Sequence, residues 1–193
     1  MEISDNFIED TSFINEDFSQ VFLEKGEYEF CTFRKCNFAK SDISSIKFLD
    51  CKFENCDLTM VALTNTIFRD IQFNDCKIIG VQFDKCNEFI LSFNFSKCIL
   101  NYSSFYKLKI ENIVFNECHL IEVDFSECNL RNSTFGKCNL EKAIFENTNV
   151  READFRSSYN FTINPEINNI KMAQFSTSGL VGLLSKYDIK IHH

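Results

Sequence analysis

The sequence predicts an all-β solenoid, a quadrilateral parallel β-helix closed at its C-terminal end by a short α-helix. Three observations predict it. A large apolar residue recurs at every fifth position, a small residue stands two places before most of them, and most other positions are polar. In "FSECNLRNSTFGKCNL", residues 125–140, the large positions are Phe125, Leu130, Phe135 and Leu140, and the small ones are Cys128, Ser133 and Cys138.

The period extends along nearly the whole chain. One run of centres reads Ile8, Phe13, Phe18, Leu23, Tyr28, Phe33, Phe38, Ile43, Phe48, Phe53, Leu58, Leu63, Phe68, Phe73, Ile78 and Phe83. A second reads Phe95, Leu100, Phe105, Ile110, Phe115, Leu120, Phe125, Leu130, Phe135, Leu140, Phe145, Val150 and Phe155. All ten cysteines, from Cys31 to Cys138, hold the phase two residues before a centre. For Cys86 the position of that centre is taken by Glu88.

Neither a helix nor a flat strand can use this pattern. Five residues advance a helix by a full turn plus roughly 140°, so the centres would form no stripe. A strand demands an inward residue at every second position, whereas here the gaps alternate between two and three. A short extended step explains each gap of two, and a corner explains each gap of three. Four such corners close a square in 20 residues, and successive coils pair as parallel strands about 4.8 Å apart. Strict alternation of Phe with Ile, Leu or Val from Phe105 to Phe155 sets phenylalanine columns on two opposite walls. Large rings meeting across a narrow bore leave room only for small neighbours, hence Cys, Ser, Ala, Thr and Val two positions earlier. The expected core therefore includes Phe33, Phe53, Phe73, Phe105, Phe115, Phe125, Phe135, Phe145, Phe155, Leu120, Leu130 and Leu140, with Cys118, Cys128 and Cys138 between them.

The units "CNLRN", "STFGK", "CNLEK", "AIFEN", "TNVRE" and "ADFRS" follow one another without a break from 128 to 157. In them the sequence resembles the pentapeptide-repeat family, and within it the quinolone-resistance group. The resemblance implies a right-handed quadrilateral β-helix over residues 1–157. It also implies a rod that mimics DNA and binds bacterial gyrase or topoisomerase IV, with effects on quinolone susceptibility.

The period breaks in two places. At "CNEFILSFNF", residues 86–95, Phe83 and Phe93 fit the first register and Phe95 and Leu100 the second, a shift of two residues. A bulge at Asn87, Glu88 and Phe89 accounts for it, as a structural bulge or as a recognition loop. Beyond Phe155 the pattern fades into an irregular last coil over 158–175 that contains the turn signal Asn164-Pro165. Residues 176–193 then form a helix and tail, with Ser176 or Ser178 as its cap.

That helix carries Leu180, Val181, Leu183, Leu184, Tyr187 and Ile189, too apolar to face water on all sides. Either it only covers the open end of its own coil, or its surplus apolar surface also pairs two molecules tail to tail. Members of the quinolone-resistance group end in a similar helix and dimerise through it, so the resemblance implies a homodimer. The terminal His192-His193 pair carries no assigned function.

Charge and composition narrow the function. The net charge of −8 is all contributed by residues 1–30, where nine acids face the single base Lys25; the rest of the chain is balanced. A basic patch for direct nucleic-acid binding has nothing to rest on. No signal peptide or membrane span is evident, and the expected location is cytoplasmic. Ten cysteines suggest metal, yet stacked thiols project in parallel whereas a tetrahedral zinc site needs converging ligands, and no two cysteines are closer than five residues. His119, the only histidine in the repeats, has no nucleophile or carboxylate placed with it by any motif. No catalytic residue, metal, cofactor or small-molecule substrate is therefore expected. Function falls to the outer surface, as DNA mimicry or as a general interaction scaffold, and a wall rich in acids with few bases would favour the former.

Overall fold

The computed structural model describes residues 6–187, 189 and 190. The chain winds as a parallel β-solenoid, and among the described residues eleven short strands lie on two of its walls. Strands β1 (Phe7–Glu9), β3 (Glu27–Glu29), β5 (Lys47–Leu49) and β7 (Ile67–Arg69) form one sheet in the order β1-β3-β5-β7. The second sheet joins β2 (Ser12–Ile14), β4 (Thr32–Arg34), β6 (Lys52–Glu54), β8 (Ile71–Asn74), β9 (Phe93–Ser96), β10 (Val114–Asn116) and β11 (Thr134–Gly136). Every pairing is parallel, and outside the β8–β9 pair the register advances by one coil of 20 residues, as in Phe33↔Phe53 and Phe115↔Phe135. Isolated bridges such as Asp57↔Lys77 and Asp124↔Ile144 continue the same ladder on the other two walls.

At most corners the second residue after the centre adopts a left-handed backbone conformation. Asp50, Asn55, Met60, Asn65, Asp70 and Asp75 have φ between 52° and 58°. This conformation is uphill for a residue with a Cβ, but at most of these corners the amide gains a partner in the next coil. The Asn55 amide, for example, donates to the Asn74 carbonyl at 2.9 Å. Among the five glycines only Gly80 takes such a corner, with φ +67°. The chain thus turns repeatedly with little glycine, because the ladder holds ordinary residues in the turn.

The core is a stack of rings. Phe13, Phe33, Phe53, Phe73, Phe95, Phe115, Phe135, Phe155 and Phe175 form one continuous column on the second wall, each ring stacked on the next at 4.6–5.4 Å. A second column, Phe83-Phe105-Phe125-Phe145, stands on the opposite wall and meets the first edge-on, as Phe105 meets Phe115 at 5.8 Å. Offset stacking within a column and edge-to-face contact between columns are both favoured ring geometries. Nearer the N-terminus the second column sits on the adjacent wall instead, as Tyr28-Phe48-Phe68. The core centres from Phe33 to Phe155 named above are at most 4% exposed.

The aromatic column changes wall where two residues are inserted. Before it, coils pair at 20 residues; across it they pair at 22, as Phe73↔Phe95 and Lys77↔Ile99. Phe93 departs from the sequence-based expectation. It does not continue the first register as a centre but pairs with Ile71, in the slot otherwise given to a small residue. The Phe68 column has no centre above it at this point, and Phe93 fills the gap, 3% exposed, against Phe68, Phe83, Phe95 and Phe105.

At the C-terminal end a single turn of helix, α1 (Val181–Leu184), sits between two 3-10 turns, Ser178–Leu180 and Ser185–Tyr187. Ser176 Oγ accepts from the Gly179 amide at 3.1 Å and fastens its start. The His192-His193 pair lies outside the described residues.

Candidate interaction surface

All ten cysteines are free and buried. They do more than save space. Cys31, Cys36, Cys51, Cys56, Cys76, Cys98, Cys118 and Cys138 each donate a thiol hydrogen bond to the carbonyl of a centre residue in the coil beneath, such as Cys56 to Phe33 and Cys118 to Phe95. Thr66, Thr148 and Ser158 make the same bond through hydroxyls, to Ile43, Phe125 and Phe135. The small position thus selects a donor as well as a size, since a buried carbonyl without a partner is costly. The recurrence of Cys, Ser and Thr at that phase was the available signal. Burial pushes the Cys51 thiol up to about 12 and also raises Cys86 and Cys128, so these are inert protonated thiols rather than nucleophiles or ligands. Among the described residues no group of three or more His, Cys, Asp or Glu is placed to hold a metal, and no helix is long and apolar enough to cross a membrane. His119 is exposed on the third wall, bridged to Ile99 and Asn139 in the ladder.

The outer surface differs from wall to wall. The fourth wall, built on Leu23, Ile43, Leu63, Phe83, Phe105, Phe125 and Phe145, carries Glu24, Asp42, Asp84, Asp124, Glu127 and Glu146 against Lys25, Lys85 and Lys107. The adjoining first wall, built on Ile8, Tyr28, Phe48, Phe68, Ile110, Leu130 and Val150, adds Glu9, Asp10, Glu27, Glu29, Asp50, Asp70, Glu111 and Glu152 against five bases. The second wall reverses the balance: Arg34, Lys35, Lys52, Lys97, Lys137 and Arg156 outnumber Glu54, Asp75, Glu117 and Asp154. The third wall is nearly even.

Ion pairs between coils reduce the field locally. Lys47–Glu27, Lys77–Asp57 and Lys137–Glu117 each span 20 residues at 3.0–3.2 Å. On the fourth wall Lys85 and Lys107 are engaged by Asp84 and Glu127. Asp124 and Glu146 take part in no ion pair among the described residues, nor do Asp70 and Glu111 on the first wall. These two adjoining walls together therefore form the negative edge of the rod.

The inserted segment projects from the first wall. Asn87 is half-buried, its Oδ1 accepting from the Phe89 amide at 2.9 Å. Glu88 is exposed, Phe89 is 80% exposed, and Ile90 holds φ +65°. At the C-terminal end Leu183 packs against the core while Leu180, Val181, Leu184, Tyr187 and Ile189 are exposed. The helix closes the coil through the Ile163 amide, which donates to the Gly182 carbonyl at 3.1 Å, and through Glu166, which accepts from Tyr187 Oη and pairs with Lys186.

The geometry defines a pentapeptide-repeat solenoid. The family model for the pentapeptide repeat region matches residues 26–89 and 81–155, so the chain belongs to that family. Among solved structures it is similar to a trypsin-treated variant of QnrB1, a plasmid-mediated fluoroquinolone resistance protein, at 18% identity and a TM-score of 0.76, covering 100% of this chain and 94% of that one. A second trypsin-treated form of QnrB1 aligns at 16% identity and a TM-score of 0.64, over 97% and 100% of the two chains. No curated protein sequence matches the chain.

Proposed function

We propose that the protein is a non-catalytic interaction rod whose negative edge takes the place of DNA on a bacterial type II topoisomerase, gyrase or topoisomerase IV, altering susceptibility to quinolones. One observation carries this reading: acids outnumber bases on two adjoining walls, while the second wall carries an excess of bases. A rod with one negative edge suits a basic groove on a partner, where complementary charge governs approach and orientation. The segment at Asn87, Glu88 and Phe89 adds an apolar contact beside that edge, since an exposed aromatic ring is a common anchor in protein interfaces. The exposed apolar residues of the C-terminal helix pair two rods tail to tail, and the working unit is a cytoplasmic homodimer.

A supercoiling assay with purified gyrase tests the reading. The protein at micromolar concentration should inhibit supercoiling or protect the enzyme from a quinolone. Asp124→Lys with Glu146→Lys should weaken the effect at least tenfold. If the unaltered chain does neither, the topoisomerase reading fails. The ion pairs laced along the walls then favour a general scaffold with another protein partner.

A further inference from the structure

We infer that two copies of this chain pair side by side through the first wall, antiparallel, about a two-fold axis at the inserted segment. The excess of acids on this wall lies wholly before that segment. There, in the coils of Ile8, Tyr28, Phe48 and Phe68, the wall carries Glu9, Asp10, Glu27, Glu29, Asp50 and Asp70 against Lys47 and Arg69. In the four coils that follow it, those of Ile110, Leu130, Val150 and Ile170, the balance reverses: Lys109, Arg131, Arg151 and Lys171 stand against Glu111 and Glu152.

Such a surface complements itself in one orientation. A two-fold axis laid across the rod, along the strand direction, inverts the order of the coils but keeps each residue's place across the wall. The residue after each centre then meets its counterpart an equal number of coils beyond the segment: Arg69 meets Glu111 of the second copy, Glu29 meets Arg151, and Glu9 meets Lys171. At the corners Asp70 meets Asn112 and Asp50 meets Asn132. Before the centres Lys47 meets Asn129 and Glu27 meets Asn149. Only Glu88, on the axis, meets its own copy. Parallel pairing would instead set acid on acid in the first four coils, which is costly. Phe89 and Ile90 stand exposed at the axis and supply an apolar contact between the copies. Glu9 and Lys171 are exposed and enter no ion pair among the described residues, so both can reach across.

In this arrangement the C-terminal helices lie at opposite ends, so the contact is distinct from tail pairing. The fourth wall, with Asp124 and Glu146, stays open. Pairs of exposed charges are weak and screened by salt. The side-by-side pair is therefore a reversible state of low ionic strength that hides Phe89 and the first wall from other partners, and at physiological salt only the tail contact remains.

The test is sedimentation velocity of the full chain carrying Val181→Glu with Leu184→Glu, which removes the tail contact, in about 20 mM and about 300 mM salt. A dimer is expected in the first and a monomer in the second. In the unaltered chain low salt should likewise raise the mass above that found at high salt. Glu9→Lys or Lys171→Glu alone sets like charges opposite each other and should weaken the low-salt dimer about tenfold. The two together exchange the charges within each facing pair and should restore it. Phe89→Ser, at an exposed position, should weaken it as well. A monomer at low salt overturns the proposal and leaves the wall to a separate protein. So does a low-salt dimer that the single reversals and Phe89→Ser leave unchanged, or that the double reversal fails to restore, because the copies would then meet in parallel or on another surface.

Discussion

The thiol of Cys56 donates to the carbonyl of Phe33, 3.3 Å away in the coil beneath. A position that looks like a size restriction thereby joins consecutive coils. Cys56→Ser should keep the bond and most of the stability, whereas Cys56→Ala leaves the Phe33 carbonyl without it and should cost about 1 kcal/mol or more. Chemical denaturation of the two variants decides: if alanine is as stable as serine, the thiol is only a spacer.

The buried thiols also set a pH dependence. Cys51 and Tyr28 are both raised to about 12 by burial. In the unfolded chain a thiol ionises near 8.5. Between these values the unfolded state binds fewer protons than the folded one, so stability present below pH 8 is lost as pH rises toward 12. At pH 10 the loss is roughly 1–2 kcal/mol for a thiol shifted as far as Cys51. Melting temperature should fall steadily above pH 8.5, and Cys51→Ser should flatten the slope.

Phe125 lies between Phe105 and Phe145 at 5.3 and 5.2 Å and meets Phe115 and Phe135 edge-on. Phe125→Ala opens a cavity bounded above and below by rings that the ladder holds in place, and should cost about 3–5 kcal/mol. A melting temperature equal to that of the unaltered chain would contradict the stack.

Repetition made the coil legible in the sequence. A large residue at one phase and a small one two places earlier can be satisfied only by a corner every five residues, so Phe105 to Phe155 specify their own walls. Spacing alone does not place Phe93, because two registers pass through it and the sequence does not say which one it joins. Its place follows from the gap above Phe68, a property of the packed coils. The candidate surface was less legible for a related reason. Asp124 and Glu146 are 22 residues apart in sequence, and only the winding sets them on one wall, whereas a count along the chain interleaves them with lysines that belong to other faces.

Gly182 lies against Phe161, and a Cβ there would stand 2.2 Å from the Phe161 carbonyl oxygen. Gly182→Ala should therefore lift the helix from the last coil and expose Phe161, lowering the melting temperature and raising binding of a hydrophobic dye. Val181→Glu with Leu184→Glu changes only exposed positions. It should leave the fold intact and convert the proposed dimer to a monomer in sedimentation. An unchanged mass would place the contact elsewhere.

Ile90 combines two features that folding alone does not favour: a β-branched side chain in the left-handed region, at φ +65°, and 47% exposure. Asparagine tolerates that conformation far better than isoleucine. Ile90→Asn should thus raise stability by about 1 kcal/mol, measured by urea unfolding. If the inserted segment is a recognition element, the same variant should weaken partner capture although the fold has become more stable, the exchange expected where strain is retained for function. Greater stability with undiminished binding would make the segment a structural bulge and nothing more.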